Sequence, residues 1–176
     1  LYQAAWQEVQ KGDELLALRD QLDAIKVQVR EYTSTSISRV KRRHLDAVSW
    51  VGGGEKFEES LFDLRTACYI VVASLSGCRN HELAYTQTDA CYCTEDDEGE
   101  IYWWLRTRST KTDEGHSEWM IPEAAVTALR LMDRWATPYQ VMIEAEIATR
   151  RAVNPADPEI AEARRRAWEA GLDGQV

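Results

Sequence analysis

The sequence is poor in the residues that mark non-globular proteins. It has nine glycines and four prolines among 176 residues, which excludes collagen-like, disordered and linker-rich chains. Its four cysteines are too few for a disulfide scaffold and too unevenly spaced for paired zinc ligands. We therefore expect reduced cysteines and a cytoplasmic protein. Cys91 and Cys93 alternate along a strand-like segment, and a zinc site there is a minor alternative.

Long apolar segments are also missing. The longest stretch without a charge runs from Thr66 to Cys78, about two-thirds of the roughly 20 residues that span a bilayer. We expect a buried helix there and no membrane partner. The chain begins at Leu1 without a basic and then apolar leader, so we expect a piece of a longer protein with no secretory signal.

Charge of one sign is in excess. The formal net charge of −9 argues against a generally basic surface for nucleic acid. Acidic residues concentrate between residues 95 and 100, around Gly99, which predicts a solvated hairpin turn. The densest basic cluster could follow DNA phosphates or form a solvated helix face. It consists of Arg39, Lys41, Arg42 and Arg43.

Hydrophobic spacing predicts a mostly helical first half. Apolar residues recur every three or four positions from Leu15 to Val29, including Leu18, Leu22 and Ile25, typical of a helix that packs on its own domain or, less simply, in a coiled coil. A second helix is predicted over residues 38–50, ended by three glycines. Residues 58–76 predict the central buried helix, and a short helix follows Gly77.

In the second half of the chain, the spacing of hydrophobic residues changes from a helical to a strand-like period. Three segments rich in aromatic and β-branched residues, 90–94, 100–108 and 116–121, predict an antiparallel meander. Pro122 predicts a new helix with Ala125, Leu129, Met132 and Trp135 buried. Further helix starts are predicted at Thr137-Pro138 and after a break at Asn154-Pro155. The sequence therefore predicts an α+β fold, mostly helical, around a small three-stranded antiparallel sheet.

One pair of motifs carries candidate chemistry. The segment from Gly77 to Leu83 reads Gly-Cys-Arg-Asn-His-Glu-Leu, and Thr110-Lys111-Thr112 follows about thirty residues later in a predicted turn. An arginine at the end of a core helix requires a partner or an anion. A simple interpretation is an ion pair between Arg79 and Glu82, three residues apart on one helix face.

In their order and spacing, these motifs resemble the catalytic domain of tyrosine recombinases, the phage integrase family. The resemblance covers about residues 61–135. It implies that Arg79 is the first catalytic arginine, that Glu82 supports it, and that Lys111 is the catalytic lysine of the β-hairpin. It also implies a helical fold around a small sheet, double-stranded DNA as substrate, and self-assembly on DNA in the full-length protein.

The chemistry of that family suits these residue types. A tyrosine attacks a DNA phosphodiester and forms a 3′-phosphotyrosyl intermediate, so the enzyme must stabilise negative charge on the phosphate oxygens. The guanidinium of Arg79 offers a fixed fork of donors for two of those oxygens. The ammonium of Lys111 can donate a proton to the leaving oxygen. The resemblance implies no metal and no other cofactor, because the phosphotyrosine conserves the bond energy.

The sequence also departs from the family pattern. The family has a His-x-x-Arg motif and a nucleophilic tyrosine after the lysine, but no histidine here is followed by arginine three residues later. The only tyrosine beyond the hairpin is Tyr139, which no such motif precedes, and we do not expect it to be the nucleophile. We expect the second half of the active site outside this chain and no recombination by the chain alone.

The predicted organisation has three parts. Residues 1–54 form an N-terminal helical segment, residues 55–136 the first half of a catalytic domain, and residues 137–176 a helical insertion or remainder. The alternative function is a non-catalytic helical DNA-binding or protein-interaction domain, in which Arg79 and Lys111 are ordinary surface charges.

Overall fold

The structure is a computed structural model, and it describes residues 1–28, 34–108, 115 and 117–153. The described chain is mostly helical with one small antiparallel sheet, which confirms the predicted α+β class. None of its helices is both long and apolar enough to cross a bilayer. The elements in chain order are α1 (Tyr2–Gln10), α2 (Gly12–Gln28), α3 (Ser34–Ala47), α4 (Gly53–Ser76), α5 (Asn80–Ala84), β1 (Cys91–Glu95), β2 (Ile101–Thr107), β3 (Ser117–Ile121) and α6 (Glu123–Val153).

The chain divides into two compact units. The first comprises Leu1–Leu75 and Glu123–Met132, and the second comprises Ser76–Pro122 and Asp133–Val176. Helix α4 supplies much of the buried surface of the first unit, as its continuous apolar pattern predicts. Its buried side chains are Phe57, Leu61, Leu64, Ala67, Cys68, Val71 and Val72.

Helix α2 buries a face that includes Leu22, as predicted, but is rotated from the rest of the predicted stripe. Leu16 and Leu22 are buried, whereas Leu15 and Leu18 are only half-buried. The leucine stripe is wide enough to allow a rotation of the helix by about one position, and packing decides the rotation. Leucine spacing thus located the helix but not its inner face.

Helices α3 and α4 both begin earlier than predicted. The second helix spans Ser34–Ala47 rather than residues 38–50, and the central helix starts at Gly53 rather than near residue 58. The turn between them uses left-handed backbone at Ser49, with φ of 58°, and at Gly52, with φ of 106°. Two of the three glycines therefore belong to the first turn of α4, where a long buried helix offsets their conformational cost.

The sheet of the second unit is a simple meander. The strand order is β1-β2-β3, with both pairs antiparallel, as the three β-rich segments predict. Leu105 pairs with Cys91 on one side and with Trp119 on the other, so these three side chains share one face. Leu105 is fully buried, which identifies this face as the inner one.

Helix α6 continues through the position where a new helix was expected to begin. It spans Glu123–Val153 with Pro138 inside it, so the predicted helix start at Thr137-Pro138 is wrong. A proline inside a helix removes one backbone hydrogen bond. On either side of it the rings of Trp135 and Tyr139 pack at 4.8 Å between centroids, which favours continuation of the helix. The predicted break at Asn154-Pro155 lies outside the described residues.

The buried face of α6 also differs from the predicted one. Ala125 is fully buried as expected, but Leu129, Met132 and Trp135 are only half-buried. The other fully or nearly fully buried positions are Val126, Ala128 and Leu131.

Candidate phosphate-binding site

The candidate site begins at a reversal of the chain after α4. Gly77 has a left-handed backbone with φ of 69°, a conformation that favours glycine. The hydroxyl of Ser76 accepts a hydrogen bond from the backbone N–H of Cys78 at 3.2 Å. Ser76 is buried, so this side chain fixes the turn from inside. The turn places Arg79 at the start of the next helix.

Arg79 is the N-cap residue of α5. Its backbone is extended, with φ of −73° and ψ of 153°, and its carbonyl accepts the N–H of Leu83 at 3.1 Å. The carboxylate of Glu82 accepts the backbone N–H of Arg79 at 2.8 Å. This is the glutamate half of a capping box, because a guanidinium has no acceptor with which to return the bond. Glu82 therefore fixes the backbone from which the arginine side chain extends.

The two side chains differ sharply in exposure. The side chain of Glu82 is 2% exposed and that of Arg79 is 57% exposed, with 3.9 Å between Oε1 and Nη1. This confirms the predicted ion pair, at a distance too long for a hydrogen bond. The guanidinium makes no hydrogen bond to any residue that the structure describes. It is therefore anchored at its base and able to use its donors on an anion.

The neighbouring thiol is not a candidate nucleophile. Cys78 is half-buried, and burial raises its pKa; a hydrogen bond with Ser76 opposes the rise, and the negative charge of Glu82 adds to it. A thiol with a raised pKa remains protonated near neutral pH. Of these two side chains, Arg79 is therefore the one suited to bind an anion.

Lys111 lies outside the described residues, but the strand residues on either side of the β2–β3 connection that contains it are described. Thr107 closes β2 and pairs with Ser117 at the start of β3. Thr107 is buried, and its hydroxyl lies 3.5 Å from the carbonyl oxygen of Ser117. The connection that contains Lys111 therefore leaves and rejoins the sheet at one end.

The basic cluster lies on α3, in the first unit, whereas Arg79 and Lys111 belong to the second. Arg39, Arg42 and Arg43 are exposed, and Lys41 is half-buried. The arginines occupy positions i, i+3 and i+4, so they share one face of the helix. The structure confirms a charged helix face; contact with DNA stays a prediction.

The outer face of the sheet is a feature that sequence reasoning missed. Tyr92, Arg106 and Glu118 lie on it, one on each strand. Nε of Arg106 is 3.2 Å from Oε1 of Glu118, and its Cζ is 5.0 Å from the centroid of the Tyr92 ring. Desolvation and Glu118 raise the pKa of Tyr92, while Arg106 opposes the rise. Alternation along each predicted strand was the available signal for which residues face outward, but it does not give the pairing between strands.

Candidate metal ligands do not cluster in the part of the chain that the structure describes. No group of three or more histidine, cysteine or acidic side chains suited to a metal occurs in the described parts of the chain. Cys91 and Cys93 share one face of β1, and neither is disulfide-bonded.

Comparisons with known proteins add no assignment. No protein-family model, no curated protein and no solved structure matches the chain.

Proposed function

We propose that this chain is the first part of the catalytic domain of a tyrosine recombinase, which breaks and rejoins double-stranded DNA in the cytoplasm. The observation that carries the proposal is the arrangement of Arg79 and Glu82. An exposed guanidinium extends from a backbone that a buried carboxylate holds, immediately after the central helix. Such an arrangement presents two parallel donors to a phosphate while the backbone behind them is fixed.

The order of elements supports the same function. Helix α4, the arginine segment, α5, the three-stranded meander and α6 follow in the order that the resemblance implies. The hairpin between β2 and β3 contains Lys111. In the proposed reaction, Arg79 stabilises charge on the scissile phosphate and Lys111 donates a proton to the leaving 5′ oxygen.

We place the nucleophile in a part of the protein outside these residues. Tyr139, the only tyrosine after the hairpin, lies inside α6 with its ring against Trp135. No His-x-x-Arg motif occurs in the sequence to complete the phosphate site. The chain on its own therefore binds DNA without cutting it.

The salt dependence of DNA binding tests the phosphate contacts. Each phosphate contact contributes a slope of about −0.9 to the plot of log K against log salt concentration. We expect Arg79→Ala and Lys111→Ala each to make the slope about one unit less negative with a duplex of about 20 base pairs. Lys56→Ala, which removes an exposed cation paired with Glu59, is the matched control. Slopes that match the wild type would exclude both residues from DNA contact.

The second candidate is a non-catalytic DNA-binding or interaction domain. The observation that favours it is the exposed arginine face of α3, which could bind phosphates without any chemistry. In that case Arg42→Ala and Arg43→Ala would change the salt slope, whereas Arg79→Ala would not.

A further inference from the structure

The outer face of the sheet is exposed and rich in aromatic side chains. The strand register places Trp104 between Tyr92 and Met120, and Tyr102 lies two positions away on the same face. Met120 is 58% exposed and Tyr102 is 37% exposed, while Tyr92 and Trp104 are half-buried. Neighbouring aromatic and apolar side chains that are exposed or half-buried are typical of interaction surfaces.

On this face, one arginine already stacks on a tyrosine ring and forms an ion pair with a neighbouring glutamate. Arg106 stacks on Tyr92 and pairs with Glu118. Tyr102, near the acidic turn, is likewise an aromatic ring next to a carboxylate. Its hydroxyl donates a hydrogen bond to Asp96 at 3.1 Å. Within the described chain, no arginine stacks on Tyr102. The chemistry of the site suits a second guanidinium.

The turn at this end carries negative charge that no described residue neutralises through an ion pair. Glu95, Asp97, Glu98 and Glu100 are exposed, and none of them forms an ion pair with a described residue. A surface of exposed rings bordered by carboxylates is complementary to arginine side chains rather than to phosphates.

Helix α3 has the complementary arrangement. Arg39, Arg42 and Arg43 share one exposed face, and none of them forms an ion pair with any residue in the described ranges. Three guanidiniums spaced over one turn of helix cover about 6 Å along its axis. Two residues of a β-strand, which rise by about 3.3 Å each, span a similar distance along the strand.

We infer that the outer sheet face and its acidic turn bind helix α3 of a second copy of this chain. One of the arginines stacks on Tyr102, and the others pair with the carboxylates of the turn. The net charge of −9 opposes association at long range, but screening limits that repulsion to about 8 Å at 0.15 M salt. The contact does not depend on the proposed function, because it forms without DNA.

Charge exchange between the two surfaces tests the contact. Sedimentation velocity of the full 176-residue chain without DNA measures the dimerisation constant. Asp97→Lys with Glu98→Lys, or Arg42→Glu with Arg43→Glu, should each weaken self-association by about tenfold or more. An equimolar mixture of the two double variants should associate again, because each supplies the surface that the other has changed.

A matched control separates local pairing from net charge. Glu58→Lys with Glu144→Lys changes the net charge by the same amount as the turn variant, at exposed helical positions. Its association should not fall. A monomeric wild type at 200 µM (a concentration chosen to exceed weak dimer constants of about 10⁻⁴ M), equal weakening in the control, or a mixture that stays monomeric would overturn the inference.

Ring contact is tested separately. Tyr102→Ala should weaken association several-fold, whereas Tyr102→Phe, which keeps the ring, should associate like the wild type. Aromatic sheet faces also stack single-stranded nucleic acid. If a thymidine oligonucleotide binds the wild type and Tyr102→Ala abolishes that binding while dimerisation is unchanged, the face serves nucleic acid and the inference is wrong.

Discussion

The buried carboxylate of Glu82 accepts the backbone N–H of Arg79 at 2.8 Å, and its second oxygen lies 3.9 Å from the same residue's guanidinium. One side chain thus serves as the helix cap and as the counter-charge for the exposed arginine. Removing it leaves a backbone donor without its acceptor, in addition to a cavity.

We expect Glu82→Ala to lower the free energy of unfolding by about 1–3 kcal/mol. Glu82→Gln keeps an acceptor for the N–H of Arg79 but buries two amide donors, so it should also destabilise the chain. Urea unfolding monitored by circular dichroism gives both values. Glu58→Ala, at an exposed position, should stay within about 0.5 kcal/mol of the wild type. If Glu82→Ala lowered the free energy of unfolding by less than about 0.5 kcal/mol, the cap would have no structural role.

Through Asp96, we expect the stability of the hairpin to depend on pH. Backbone N–H groups, that of Glu100 first, lower the pKa of its carboxyl below the ordinary value of 3.8. Because the folded pKa is lower than the unfolded one, the stabilisation is complete above pH 3.8 and is lost as pH falls through the folded value. Asp96→Asn should be less stable than the wild type near pH 7, and the difference should vanish in acid.

Unfolding curves over pH 2–7 measure this difference, a range set by the carboxyl pKa values near 4. Asp97→Asn in the same turn is the control, since no described residue donates a hydrogen bond to its side chain. A difference between wild type and Asp96→Asn that grows as pH falls would contradict the assigned hydrogen bonds.

The cysteines should differ in reactivity. Burial raises the pKa of Cys68 to about 12, so about 10⁻⁴ of this thiol is ionised at pH 8. Cys93 is exposed. Iodoacetamide should label Cys93 in the native chain and Cys68 only after unfolding in urea, as peptide mass spectrometry would show. Comparable native labelling of both thiols would mean that α4 opens readily.

Tyr139 should not act as a nucleophile. A nicked suicide duplex traps a 3′-phosphotyrosyl adduct as a band that resists denaturation. The chain alone should form none, because the ring of Tyr139 packs on Trp135 and no His-x-x-Arg motif accompanies it. An adduct that disappears in Tyr139→Phe would show that the nucleophile is within these residues.

The sequence was most informative where one local signal dominated. The apolar face of α4 predicted the body and the end of this helix, though not its start, and the aromatic segments predicted the three strands of the meander. The Arg79 to Glu82 spacing predicted their ion pair. Thr137-Pro138 was misleading because a cap residue followed by proline is typical of the first turn of a helix, whereas here both residues lie inside α6. The inner face of α2 depends on its neighbours in space, which leucine spacing cannot specify.

The candidate site was less predictable than the fold. The anchoring role of Ser76 was not predictable: Gly77 marks the end of α4, but the sequence does not show that the Ser76 hydroxyl accepts the N–H of Cys78. The outer sheet face depends on which residues of three strands lie side by side. That register is set by the hairpin connections and by burial of Leu105, both long-range properties.

The central claim is that Arg79 and Lys111 hold one DNA phosphate. A crystal structure of the chain bound to a short DNA duplex tests it most directly. We expect a guanidinium nitrogen of Arg79 and Nζ of Lys111 each within about 2.7–3.2 Å of oxygens on the same phosphate. Arg79 and Lys111 on different phosphates, or on a surface away from the DNA, would contradict the proposed function.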